Sequence, residues 1–144
     1  SYEGEFHDIP DMGINPLPIQ QPIPLWIGGM SRPVKERIVR VGDGWVPLTK
    51  TVDEAEQHLN ELYDIADERG RDPDDIGIHG RMYAPPSARD TWIERAQAWQ
   101  DLGVDYLGVS TNPISEMFDE PPEPGNHLEL IEDIADVFSE TGLL

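Results

Sequence analysis

The chain has 144 residues, 29 acidic side chains against 10 basic ones, and a net charge of −19 at neutral pH. That length suits one domain with a buried core, and that charge repels nucleic acid and anionic membrane, which are held by clustered Lys and Arg. With no cysteine, disulfides, thiolate nucleophiles and Cys-based metal centres are excluded.

Of the basic residues, eight are arginines and two are lysines, Lys35 and Lys50. Self-repulsion at this charge density calls for concentrated counter-ions. A salt-adapted surface of halophilic type is therefore expected, with an ordinary acidic protein as the alternative. No apolar run approaches the ~20 residues of a membrane span, and SYEGEFHDIP lacks the features of a secretory leader. The expected location is cytoplasmic.

Residues 1–23 carry Pro10, Pro16, Pro18 and Pro22. Each removes a backbone donor, so this stretch is predicted to be an irregular lead-in loop. From residue 24 onward strands and helices alternate. LWI (25–27) is a short buried strand. Val34, Ile38 and Val41 then mark a helix ended by Gly42. WVPL (45–48) is a second strand. Thr51 and Glu54 form a capping box before a helix with the stripe Val52, Ala55, Leu59, Leu62 and Ala66, stopped at Gly70. IGIHGRMYA (76–84) is a third strand, and a helix from about Ala88 to Leu102 buries Trp92, Ala96 and Trp99. DYLGVS (105–110) is a fourth strand. After a Pro-rich crossing, Asn126 and Glu129 cap a last helix whose inward residues are Leu128, Ile131, Ala135 and Phe138.

Four strands, each followed by a helix, predict an α/β fold with a parallel sheet and right-handed crossovers. Either a doubly wound sheet or part of a (β/α)8 barrel fits. A complete barrel takes ~250 residues, so residues 24–144 have room for a (β/α)4 half-barrel. Exposed strand edges make pairing with something else the expectation.

The stretch WIGGMSRP (26–33) carries the chemistry. A loop that follows a strand lies at the carboxyl end of the sheet, where ligands bind. Two glycines permit close backbone approach and positive φ. Ser31 can cap the helix and Pro33 suits its first turn. The helix start offers free N–H groups and partial positive charge, and Arg32 adds a cation. These features make a phosphate cradle; a plain strand-to-helix turn is the bland alternative.

The pieces IQQPIPLWIGGMS (19–31), VGDGW (41–45) and ERGRDP (68–73), with the lead-in SYEGEFHDI (1–9), occur in order. In this order they resemble the C-terminal half of the bacterial luciferase-like monooxygenase and F420-dependent oxidoreductase family. The resemblance implies a (β/α)8 TIM barrel that binds FMN or the deazaflavin F420 and moves hydrides, with or without oxygen insertion. It implies that Gly28, Gly29, Met30, Ser31 and Arg32 contact the cofactor phosphate, Met30 through its backbone N–H. It also makes these four units the last four of eight. The chain is then a fragment, a separately encoded half or a truncated relative, pairing as a homodimer or with a missing N-terminal half and acting on a small-molecule substrate. An archaeal halophile as source would favour F420.

Three further residues are candidates for the substrate or cofactor pocket. Trp45 could wall a ring, although its place at the start of a strand favours a core role. Arg81 shares a face with His79 and Tyr83 by period 2 and could hold an anionic group or pair with an acid. Ser110, with Thr111 and Asn112, ends the last strand at the ligand face. His79 reads as structural. No metal site is expected, since Glu54 and His58 have no second ligand pair, and no catalytic acid or base stands out. RDPDD (71–75) and FDEPPEPG (118–125) read as solvated loops. The remaining readings are a non-catalytic half-barrel that binds a phosphate ligand or a partner, and a doubly wound domain for a phosphorylated small molecule.

Overall fold

The computed structural model describes residues 1–13, 15–111 and 126–141. Two exposed two-residue strands, β1 (Tyr2–Glu3) and β2 (Asp8–Ile9), pair antiparallel in the lead-in. The main body runs β3 (Trp26–Gly28), α1 (Arg32–Val41), β4 (Gly44–Val46), α2 (Val52–Glu68), β5 (Gly77–Tyr83), α3 (Trp92–Asp101), β6 (Tyr106–Ser110) and α4 (Asn126–Thr141). Its sheet is parallel throughout, in the order β3-β4-β5-β6.

That order has no reversal, and a doubly wound sheet binds its ligand where the order reverses. The doubly wound reading therefore falls, and the four βα units form a half-barrel. Neighbouring strands stay in step at their lower ends by a repeated device. The Asp43 carboxylate accepts from the Leu25 N–H at 2.7 Å, and the Asp105 carboxylate accepts from the Ile78 N–H at 2.7 Å. The aspartate of GDGW is thus a clamp between strands.

The sheet buries one face beneath the helices. Ile27, Trp45 and Ile78 lie at one register level and pack with Ile38, Leu59, Leu62 and Ile65 in a first core cluster. Met82, Ala84, Trp92, Ala96 and Trp99 form a second cluster with Leu130, Ile134 and Phe138. The α2 stripe is as the sequence predicts, with Ile65 added. Thr51 Oγ1 accepts from the Glu54 N–H at 3.2 Å, while the Glu54 carboxylate reaches the Lys50 N–H at 2.9 Å. The box closes one residue further back than its usual form.

Four expectations are corrected. In α1 the buried residues are Lys35, Ile38 and Val39, and Val41 is 48% exposed; the last turn rotates so that Arg71 can bond the carbonyls of Ile38 and Val39 at 3.1 and 3.0 Å. The third helix begins at Trp92, because Pro86–Thr91 form 3-10 turns with Ala88 at a non-helical φ of −113°, and the Thr91 hydroxyl donates back to the Ala88 carbonyl. In α4 the buried stripe is Leu130, Ile134 and Phe138, while Leu128, Ile131 and Ala135 are exposed. That helix has two apolar stripes, and only the sheet beneath it selects one. Pro47 ends the β4 ladder before the predicted Leu48, since proline has no N–H to donate.

Lys35 lies wholly buried in the seam between α1 and α2. Its Nζ donates to Glu61 Oε2 and, at 3.0 Å, to His58 Nδ1. An ammonium cannot accept, so the His58 ring carries its hydrogen on Nε2. The hydrogen bond from Lys35, and then its charge, hold the Glu61 carboxyl below the usual carboxylate range. A carboxyl lowered in the folded state adds stability above its unfolded pKa and loses it as pH falls through the folded value. The stability of the wild type relative to Lys35→Met should therefore decline on acidification through the carboxylate range. Urea unfolding at stepped pH reads this difference, and a difference that widened in acid would contradict it.

Candidate functional site

The carboxyl end of β3 turns into α1 through Gly28–Ser31. Gly29 has φ +117°, a region that side chains with Cβ rarely adopt, and a Cβ there would lie 3.3 Å from Val34 Cγ1. Glycine is required twice over, by backbone angle and by space. The loop is held from two sides. Trp45 Nε1 donates to the Gly29 carbonyl at 2.8 Å, and the Leu48 N–H donates to Met30 Sδ at 3.3 Å. The Met30 side chain is thereby committed to the core.

Ser31 occupies the N-cap of α1 with extended angles, but its hydroxyl makes no cap bond. Its carbonyl accepts from the Val34 and Lys35 N–H groups at 2.9 and 3.1 Å. The N–H groups of Met30, Ser31 and Arg32 precede these first intrahelical bonds and have no place in the helical ladder. An exposed hydroxyl and these N–H groups therefore stand at the positive end of the α1 dipole, with no acid in the first turn. Arg32 is 62% exposed and turns along the surface. Its Nε donates to Glu36 at 3.3 Å and its Nη2 donates to Glu68 at 3.2 Å. Exposed pairs of this kind are worth under about 1 kcal/mol, so Arg32 can exchange them for a stronger anion.

The other predicted residues separate. Trp45 is fully buried on the helix side of the sheet, where it supports the Gly29 carbonyl from below. Arg81 and Ser110 lie on the opposite, luminal face by strand alternation, with Arg81 level with Gly108 and Ser110 level with Tyr83. Both are half-buried. Beyond Ser110, Thr111 Oγ1 meets His127 Nδ1 at 3.1 Å; Asn112 is outside the described residues.

Sequence reasoning missed a luminal aromatic trio. Trp26, His79 and Tyr106 meet edge to face, with centroids 6.4, 5.7 and 6.4 Å apart. With Val46 they line a cavity of about 280 Å³. Trp26 lies over Gly77, where a Cβ would meet its ring at 2.7 Å. The signal was present in WIG: Ile27 faces the helices, so Trp26 and Gly28 must face the lumen. Among the described residues no group of three or more His, Asp and Glu could hold a metal ion.

A sequence model of luciferase-like monooxygenases matches residues 1–132. The chain belongs to this family. Its fold resembles the crystal structure of the long-chain alkane monooxygenase LadA, with a TM-score of 0.52 at 12% identity over 98% of this chain and 46% of that one. A weaker likeness is to the crystal structure of DmoA from Hyphomicrobium sulfonivorans, with a TM-score of 0.38 at 19% identity over 70% of this chain and 22% of that one. Nothing among curated proteins matches. This luciferase-like chain thus spans less than half the length of either structure, and its four βα units correspond to half of a TIM barrel. No helix among the described residues is long and apolar enough to cross a membrane.

Proposed function

We propose that the chain is the cofactor-phosphate-binding half of a luciferase-like oxidoreductase that uses FMN or F420 and acts on a small molecule. One observation carries this reading: a glycine loop at the carboxyl end of β3, pinned by Trp45 and Met30, presents the unengaged Ser31 hydroxyl at the start of α1. The residues fit a phosphate. With no side chain at Gly28, the backbone there is open to close approach by a ligand. Met30, Ser31 and Arg32 would hold the group through N–H, hydroxyl and guanidinium. When bound, FMN or F420 supplies the hydride or oxygen chemistry.

The chain's own residues bind and orient. Trp45 keeps the Gly29 carbonyl turned away from the anion. Arg81 and Ser110 face the lumen at the same end of the sheet, where they would meet the substrate. Trp26, Leu48 and Tyr106 are 39%, 61% and 63% exposed on that face, and β3 and β6 are open edges. Further βα units, as an N-terminal half or a second copy, would cover both. The lead-in (1–23) has no buried residue among those described and would pack on the same partner, apart from the half-barrel at 24–144. The acid excess supports a salt-adapted cytoplasmic protein.

A second reading, a non-catalytic half-barrel that binds a phosphate ligand or a partner, draws support from Arg32, whose charge Glu36 and Glu68 already share. Fluorescence titration with FMN and with F420 in molar salt separates the two. The cofactor reading expects one of them to bind, and expects Ser31→Ala with Arg32→Ala, or Gly29→Ala alone, to weaken binding at least about tenfold, or ~1.4 kcal/mol. If neither cofactor binds, the second reading stands.

A further inference from the structure

On the luminal face of the sheet, Gly44, Gly77 and Gly108 leave their places to aromatic rings. A Cβ added at Gly44 would meet three atoms of the Trp26 indole at 2.7 Å or less, and one added at Gly77 would meet the same ring at 2.7 Å. Approach in the plane of a ring brings at most two ring atoms that close. The Trp26 ring therefore lies face down across β4 and β5, and its other face looks into the lumen. His79 stands at 88° to this floor and Tyr106 at 73°, and the two stand at 79° to each other. The edge of His79 takes the space above Gly108, with Nε2 3.0 Å from where a Cβ would lie. A floor and two upright walls thus border one corner, the cavity of about 280 Å³ that these rings line with Val46.

The three centroids are 6.4, 5.7 and 6.4 Å apart. One cation in the corner therefore lies within ~6 Å of all of them, the range of cation–π attraction. Strands β3 to β6 contain no acidic residue, so the rings and not a carboxylate would hold it. Sodium, potassium or a primary ammonium would give up hydration that ring faces cannot replace. A quaternary ammonium has no N–H to leave unpaired, and its methyl groups bury against ring carbons. The space holds roughly nine waters at ~30 Å³ each, enough for a trimethylammonium head. The net charge of −19 draws cations to the chain. Arg81 stands one luminal level further along β5, level with Gly108, and its opposing charge is screened within ~3 Å in molar salt.

We propose that Trp26, His79 and Tyr106 form a binding site for the head group of a quaternary ammonium compound. The site lies in the lumen, apart from the Ser31 hydroxyl and the start of α1, and it does not rest on the cofactor reading.

Titration of the chain with choline chloride, at constant ionic strength in molar potassium chloride, tests it through tryptophan emission. Trp45, Trp92 and Trp99 are buried while Trp26 is 39% exposed, so the response should come from Trp26 and vanish in Trp26→Leu. The wild type should respond saturably. Dimethylbutanol, the neutral isostere in which carbon replaces the nitrogen, should bind at least tenfold more weakly. Tyr106→Ala, at a side chain 63% exposed, should weaken choline binding at least tenfold, with far-UV circular dichroism confirming that it remains folded. Arg81→Gln removes a like charge and should tighten binding. Ser31→Ala should leave it unchanged, whatever becomes of the cofactor. Absence of a saturable response overturns the proposal, as does a response that survives Trp26→Leu. Equal affinity for the neutral isostere also overturns it and makes the corner a plain apolar cleft. Unchanged affinity in Tyr106→Ala, or weaker binding in Arg81→Gln, overturns it too.

Discussion

Trp45→Ala is expected to destabilise the fold by about 3–5 kcal/mol, the usual range for truncating a fully buried tryptophan. Trp45 has no exposed surface and packs with Ile38, Val39, Leu59, Leu62, Ile65 and Ile78. Its removal opens a cavity between sheet and helices that short, well-packed elements cannot refill. It also takes the indole N–H from the Gly29 carbonyl, a further ~1 kcal/mol. Domains of this size hold about 5–15 kcal/mol in all, so much of the margin goes. Trp45→Phe should lose far less stability yet still free the Gly29 carbonyl. Urea unfolding in molar salt measures both variants. A loss below about 1 kcal/mol for Trp45→Ala would remove Trp45 from the centre of the core.

Trp92→Ala should be equally severe, again about 3–5 kcal/mol, but its effect should be felt elsewhere. Trp92 is fully buried in the second cluster, and its Nε1 donates to the Pro85 carbonyl at 3.1 Å. The Arg89 guanidinium sits 6.0 Å from the ring centroid and bonds Asp133 on α4 with both of its forks. Loss of Trp92 therefore loosens the packing under Leu130, Ile134 and Phe138 as well. Hydrogen exchange should show α4 amides losing more protection than those of α1 and α2. Uniform loss across the helices would mean that the two clusters unfold as one.

Much of this was legible in the residues because local chemistry dictates it. Gly70 and Gly103 stop their helices at φ +66° and +84°, angles that residues with a Cβ rarely adopt, and Gly42 caps α1. The period-2 pattern of GIHGRMY placed Ile78 and Met82 under the helices, and they are buried there. The motif WIGGMS pointed to the loop at the sheet's carboxyl end, and the requirement for glycine at position 29 is local.

What the sequence left open was each choice between two equally apolar or equally polar local options. Leu128–Ile131 and Leu130–Ile134 are both good helix stripes, and only packing against the sheet selected the second. The Ser31 hydroxyl could cap α1 or face solvent, and it faces solvent. Lys35 reads as a surface charge until α2 brings His58 and Glu61 over it.

By itself, then, the sequence determined the alternating βα order, the parallel sheet, the helix ends and the glycine loop, because each depends on residues within a few positions of one another. The tertiary structure alone decided the strand order that rules out a doubly wound sheet. It alone buried Trp45 beneath the loop and faced Trp26, His79 and Tyr106 across three strands. Those pairings join residues 16 to 80 positions apart, and their energy depends on solvent exclusion and mutual distance, which no local pattern encodes.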